Sequence, residues 1–238
     1  MGAQGGDAGS AAALIDDTQP LLKQLGHLDA AGYQAWMMRT SRGQARFFES
    51  SRLEAVTKVK WWVVPLLWLP VAALLARRAL RTGLLCGPVA ALASGGVLLW
   101  QLIEYSMHRW LFHVVPSSRP AILAHFLMHG NHHKFPSDVD RLVFPPLPAC
   151  LPASLIYGAL RCCLPRAAAD AVFSGVLLGY VAYDCMHYLM HSGHLRGSLR
   201  ARHMHHHFAD DTVAYGISSA LWDMVFGTQP RRLKGKCS

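Results

Sequence analysis

The chain has 238 residues, of which 52% are apolar and only 16% charged, and its mean hydropathy of +0.21 is too high for a basic soluble domain. Its 23 Lys and Arg against 14 Asp and Glu give a net charge of +9, a balance that suits either nucleic acid or a membrane surface. The hydropathy favours the membrane over nucleic acid.

Residues 1–12, MGAQGGDAGSAA, are mostly small, lack at position six the Ser or Thr of a myristoylation signal, and read as a disordered lead. Residues 13–60 have ordinary polarity and read as a cytosolic N-terminal arm lying over the membrane. From Trp61 the composition changes. The segment 61–76 is uncharged between Lys60 and Arg77, with Trp61, Trp62 and Trp68 suited to an interface. The segment 83–103 is uncharged for 21 residues, about 31 Å as a helix and long enough to cross a bilayer. The two are expected to form a hairpin with RRALRT as its turn. A second hairpin follows, from 142–160 and 167–183, joined by RCCLPR. Pro145, Pro146, Pro148 and Pro152 predict a kinked or partly non-helical start for its first segment. The expected fold is therefore all-α: an integral membrane protein with four transmembrane helices in two hairpins and a helical cytosolic cap from 104–141 and 184–229.

Two hairpins put Arg77, Arg78, Arg81, Arg161 and Arg166 on one side and the other 18 basic residues on the opposite side. The positive-inside tendency then places both termini and the clustered histidines in the cytosol. The ending KGKCS, with Lys234 and Lys236, reads as a dilysine retrieval signal of endoplasmic-reticulum membrane proteins. The six cysteines lie mostly in or beside apolar stretches without a C-x-x-C pair, and no N-terminal secretory signal is evident, so neither a disulfide framework nor a zinc ribbon is expected.

Thirteen of the 14 histidines lie between His108 and His207. They form four groups: H-R-W-L-F-H (His108, His113), H-G-N-H-H (His129, His132, His133), H-Y-L-M-H (His187, His191) and H-M-H-H-H (His203 to His207). On a helix, positions i, i+3 and i+4 share a face, so His129, His132 and His133 are expected to point one way, as are His203, His206 and His207, while His187 and His191 form a third face. His108 and His113 are five apart, roughly 140° around a regular helix, and so reach two different metals or straddle a distorted turn. Ten imidazoles match two metals with about five ligands each, leaving positions open for oxygen, unlike a closed structural zinc. Imidazole suits iron and zinc alike. His205 falls off the shared face, His125 either bonds a ligand or supports packing, His194 follows the helix-ending Gly193, and His27 is remote. Asp184, three residues before His187, either orients that imidazole through its second nitrogen or faces water.

These groups resemble the signature of the fatty acid hydroxylase and sterol desaturase superfamily. QPLLKQLGHL, YQAW, EYSMHRWLFH, AHFLMHGNHHKFP, RLVFPP, GYVAYDCMHYLMH and YGISSALWDMVFGT resemble more closely the plant-type fatty acid 2-hydroxylases, over about Gln19 to Gln229. The resemblance implies a di-metal monooxygenase that hydroxylates C2 of a long fatty acyl chain carried by ceramide or dihydroceramide, using O2. It implies iron in function, with zinc as an alternative occupant, and His108, His113, His129, His132, His133, His187, His191, His203, His206 and His207 as ligands. With no H-P-G-G and no room for a fused cytochrome b5 domain, the electron donor is expected to be a separate cytochrome b5, reduced by an NADH-dependent reductase in the endoplasmic-reticulum membrane. Rival readings are a hydroxylase or desaturase of sterols or sphingoid bases, and a non-catalytic membrane metal-binding protein. The uncharged segments 61–76 and 83–103 speak against a metal pathway.

Overall fold

The computed structural model describes residues 15–231. The 1–12 lead and the KGKCS ending lie outside them. Among the described residues there are helices and turns but no strands. In chain order the helices are α1 (Leu21–Leu25), α2 (Ala30–Met37), α3 (Ser51–Val56), α4 (Val63–Arg81), α5 (Cys86–Met107), α6 (Arg119–His125), α7 (Asn131–Lys134), α8 (Pro146–Cys163), α9 (Arg166–His191), α10 (Ser198–Phe208) and α11 (Leu221–Val225). Two π-helical turns interrupt this series, His108–Phe112 after α5 and Phe126–Gly130 between α6 and α7.

The chain divides into two compact units, one from the residues up to Lys58 with His108–Leu142, the other from Val59–Met107 with the chain from Val143 onward. In the first, Leu21, Leu25, Tyr33, Trp36 and Phe47 of the N-terminal stretch pack with Ile122, Phe126 and Phe135 into one core. Two buried cations tie the same stretches together. Arg141 is ion-paired with Glu54 and with Asp138 at 2.6 Å and lies 4.3 Å over the Phe47 ring. Lys134 pairs with Asp17 at 3.2 Å and lies over Trp36 at 4.7 Å. Each charge is hydrogen-bonded as well as paired, which is what burial of a charge requires.

In the second unit, α9 packs along both α5 and α4, while α4 and α5 touch each other little. Glycines set the α5–α9 distance. A Cβ on Gly175 would lie 1.8 Å from the Ala93 carbonyl oxygen, and one on Gly96 would lie 2.0 Å from that of Val172. Gly175 and Gly179 are four apart on α9, and a Cβ on Gly179 would meet Trp100 at 2.7 Å. This is the small-x-x-x-small pattern by which helices pack in lipid, where no hydrophobic force drives them together.

Three helices among the described residues are long and apolar enough to cross a membrane: Val63–Arg81, Cys86–Phe112 and Arg166–His191. Buried residues make up 67% of the apolar window of the third but only 22% and 11% of those of the first two, so the first two present apolar surface outward. Leu66, Leu74 and Leu98 are exposed there, and continuous exposure of this kind fits a lipid surroundings rather than water. The expected third segment, 142–160, forms α8, which is less apolar because of its prolines, Tyr157 and Arg161, although Leu147, Leu151 and Leu155 on it are exposed. Its chain is non-helical up to Pro145, and Pro146 and Pro148 sit in the first turn, where their missing N–H groups cost nothing.

The boundary of the first expected segment moves. Helix α4 runs through the arginines to Arg81 instead of ending before RRALRT. Arg, Ala and Leu are good helix formers, and cations are favoured in a last turn. Arg78 also finds a partner on α9: its Nε donates to Asp170 at 2.6 Å, and the Tyr157 hydroxyl donates to the same carboxylate at 2.6 Å.

Gly175→Ala is expected to force α5 and α9 apart and to destabilise the protein by about 1–3 kcal/mol, as overpacking does. The thermal midpoint in detergent should fall by several degrees, whereas Gly158→Ala, where a Cβ meets open space, should leave it unchanged.

Candidate metal centre

In the first unit, the ligand nitrogens of His108, His113, His129 and His133 all lie within 4.8 Å of one another. The π-turn explains how residues five apart come together. A regular helix would splay His108 and His113, whereas the wider i→i+5 turn over His108–Phe112 brings their Nε2 atoms to 3.3 Å. The second of the two sequence-based options, a distorted turn, is the one found. His129 and His133 enter from the next π-turn and α7, with ring centroids 4.7 Å apart. Phe112 stacks on His129 at 5.0 Å with ring planes 19° apart.

In the second unit, His187 and His191 at the end of α9 meet His203 and His207 of α10 in the same manner. The His191 and His203 Nε2 atoms are 2.7 Å apart. Centroid distances of 4.6 to 4.8 Å run from His203 to His207 and from His187 to His191.

Each H-x-x-H-H run thus contributes its i and i+4 imidazoles side by side, while its middle histidine points in another direction. The His132 ring is 5.6 Å from His129 and 6.0 Å from His133, and the His206 ring is 6.3 Å from His203. Three imidazoles pointing one way were expected. Positions i and i+4 differ by roughly 40° around the helix, but the middle position lies about 60° from one and 100° from the other. His206 has its own anchor, a 2.7 Å hydrogen bond from Nδ1 to the Val213 carbonyl, which leaves Nε2 as the lone-pair nitrogen.

The remaining histidines fall outside both groups. His194 lies past the helix end and its Nδ1 contacts the Ser192 hydroxyl at 2.9 Å. His27 is exposed and His205 half-buried. His125 is buried and bonded through Nδ1 to the Tyr33 hydroxyl at 2.7 Å. Asp184 neither faces water nor serves an imidazole. It is buried, and its carboxylate accepts the Phe144 backbone N–H at 3.2 Å, where the chain enters α8.

Several supporting groups went unread in the sequence. The buried Asp223 carboxylate accepts the backbone N–H groups of Tyr215 and Gly216 at 2.9 and 3.0 Å, the Thr228 hydroxyl at 2.7 Å and an Arg202 N–H at 2.9 Å. Glu104 accepts the N–H groups of Ile217 and Ser218 at 2.7 and 2.8 Å. Together they fix the loop that follows Val213. The available signal was an acidic residue ending an uncharged 21-residue run, and a lone Asp in SSALWDMVF.

Burial opposes protonation of two rings in the first histidine group, His113 and His129. Burial foremost, then the neighbouring His108 and His125, pushes His113 down to about 2. Burial likewise holds His129 well below its ordinary value, reinforced by His133, His108, His113 and His132. Its Nε2 is buried with no hydrogen-bond partner among the described residues. Neutral rings with converging lone pairs are what a divalent transition metal requires.

The chain matches the family model described as fatty acid hydroxylase over residues 93–228. A dihydroceramide fatty acyl 2-hydroxylase of Arabidopsis thaliana is 40% identical over 222 residues, 91% of this chain and 93% of the relative. The chain belongs to the fatty acid hydroxylase family. It is 39% identical to the fatty acid 2-hydroxylase of Homo sapiens over 241 residues, covering 90% of this chain and 64% of that longer protein. A solved structure of full-length scs7p, with only the hydroxylase domain visible, superposes with a TM-score of 0.88 at 34% identity, covering 100% of this chain and 93% of the other. Membership makes this chain a hydroxylase, and among the described residues its histidine groups could hold metal ions.

Metal-stripped protein should lose stability on acidification. An unfolded chain takes up protons at these rings near 6.5, while the folded chain resists protonation down to about 2 at His113. Protonation therefore favours unfolding, and the stability present above 6.5 is lost progressively as pH falls below it. A thermal midpoint that stays flat between roughly pH 7.5 and pH 5 would show that these rings are not buried as neutral groups.

Proposed function

We propose that this enzyme hydroxylates C2 of the long or very-long-chain fatty acyl group of ceramide or dihydroceramide, in the endoplasmic-reticulum membrane, with its site and termini in the cytosol. One O2, two electrons and two protons convert the C2–H bond to C2–OH and release one water. A separate cytochrome b5, reduced by an NADH-dependent reductase, supplies the electrons. This reading rests on two four-imidazole groups in a chain that shares 40% identity with a dihydroceramide fatty acyl 2-hydroxylase across 93% of that relative's length.

The ten imidazoles, His132 and His206 among them, fit two metals with coordination positions left for O2. When bound, a redox-active metal supplies the oxidant that an unactivated C–H bond demands; zinc, which has no redox chemistry, can occupy such ligands but not turn over. Iron is therefore the working metal in this proposal. The chain's own residues hold and orient. The imidazoles contribute neutral ligands, Phe112 covers the His129 ring, and Asp223, Glu104 and the Val213 carbonyl keep α10 and its following loop in place. Neither group of four contains a carboxylate, as expected where the reaction is oxidation and not acid–base hydrolysis.

The acyl chain stays in hydrocarbon while its amide end lies at the membrane boundary, so the carbon beside the carbonyl is the one within reach. The exposed leucines of α8 support counting it as a fourth membrane segment, paired with α9 as a second hairpin.

Purified protein loaded with ferrous iron and supplied with cytochrome b5, its reductase, NADH and O2 should add one oxygen to the acyl chain of a very-long-chain dihydroceramide. Mass-spectral fragmentation that places the oxygen on the sphingoid base, or finds none, would refute the proposal. His129→Ala and His207→Ala should each lower turnover at least about 100-fold and reduce metal content, as loss of a ligand does. His194→Ala should leave both unchanged.

A further inference from the structure

Tyr33 and His125 are 92 residues apart, yet the tyrosine hydroxyl lies 2.7 Å from the histidine Nδ1 in the interior of the first unit. Tyr33 is fully buried, and the two rings meet edge-on at 5.6 Å. A phenylalanine would fill that core space equally well, so the buried hydroxyl calls for a specific partner. Gly130 supplies a second observation. A Cβ there would lie 2.2 Å from the Tyr33 hydroxyl oxygen and 2.8 Å from His125 Nδ1, so the glycine leaves the room this hydrogen bond occupies.

The other end of the pair reaches the metal ligands. His125 ends α6 and directly precedes the π-turn Phe126–Gly130, which carries His129, and Gly130, which closes that turn, abuts both the Tyr33 hydroxyl and His125 Nδ1. Phe112, which directly precedes His113, stacks on His129.

We propose that Tyr33 and His125 are positioning residues: the phenol fixes the His125 ring where α6 passes into the second π-turn, and that turn is thereby held in the one register that brings His129 to His108 and His113. This rests on the reading that the first histidine group binds metal. Through Tyr33, the N-terminal stretch becomes a working part of the metal site without supplying a ligand.

The test uses the full chain in detergent, with ferrous iron or zinc as the probe. Tyr33→Phe and Gly130→Ala, one deleting the hydroxyl and the other filling its space, should each weaken the metal retained by the first group by about 10–100-fold in chelator competition. Metal at the second group should stay, and X-ray absorption should report fewer imidazoles around the affected ion. His125→Gln, whose side-chain oxygen can accept from the Tyr33 hydroxyl, should retain more metal than His125→Ala. Tyr33→Phe that binds both ions like the unsubstituted protein overturns the proposal. So does loss of both ions in proportion to a lowered thermal midpoint, which marks a packing defect alone. Failure of the unsubstituted protein to bind metal overturns the metal reading itself and this inference with it.

Discussion

Imidazole nitrogens held within 4.8 Å of one another in a buried space can coexist only as neutral rings, because protonating two neighbours sets like charges side by side without water to screen them. Neutral rings in turn bring lone pairs face to face, an arrangement that repels unless a cation accepts them. Each group of four therefore has to be imposed by the surrounding fold. The first unit does this with a π-turn, a stacked phenylalanine and the Tyr33–His125 hydrogen bond. In the second, a buried Asp and Glu between them accept backbone N–H groups of the Tyr215–Ser218 loop.

The two groups solve the same geometric problem differently. His187 with His191, and His203 with His207, are four apart on ordinary helices, so the helical repeat alone faces each pair in one direction. His108 and His113 are five apart and need a locally widened helix. Such a turn forfeits regular hydrogen bonding and must be stabilised from outside.

Helix packing adds a second constraint. Histidines at the end of α9 are positioned only as well as α9 itself, and in lipid its place depends on close backbone approach at Gly96, Gly175 and Gly179 and on the Arg78–Asp170–Tyr157 contact. Arg78, which the composition marks only as part of a basic turn, is thus bonded to a carboxylate on a neighbouring helix. Its pairing also lengthens α4 beyond the expected boundary.

Much of this protein was legible in its sequence because the signals are local. Uncharged runs announce the apolar helices, and the i, i+4 spacing of His129 and His133, of His187 and His191, and of His203 and His207 announces imidazoles on one face, since the helical repeat turns sequence distance directly into direction. The GVLLG spacing at Gly175 and Gly179 was equally open to reading as a helix contact. The directions of the middle histidines were read too simply, because three-residue and four-residue separations were treated as one face although they diverge by tens of degrees. What only the tertiary structure decided depends on encounters between distant segments: that α5 gives way to a π-turn at His108, that Asp184 serves the Phe144 amide and not His187, and that Tyr33 reaches His125. Local spacing carries no record of which remote group will satisfy a buried donor or acceptor; burial creates that demand, and only the folded chain shows how it is met.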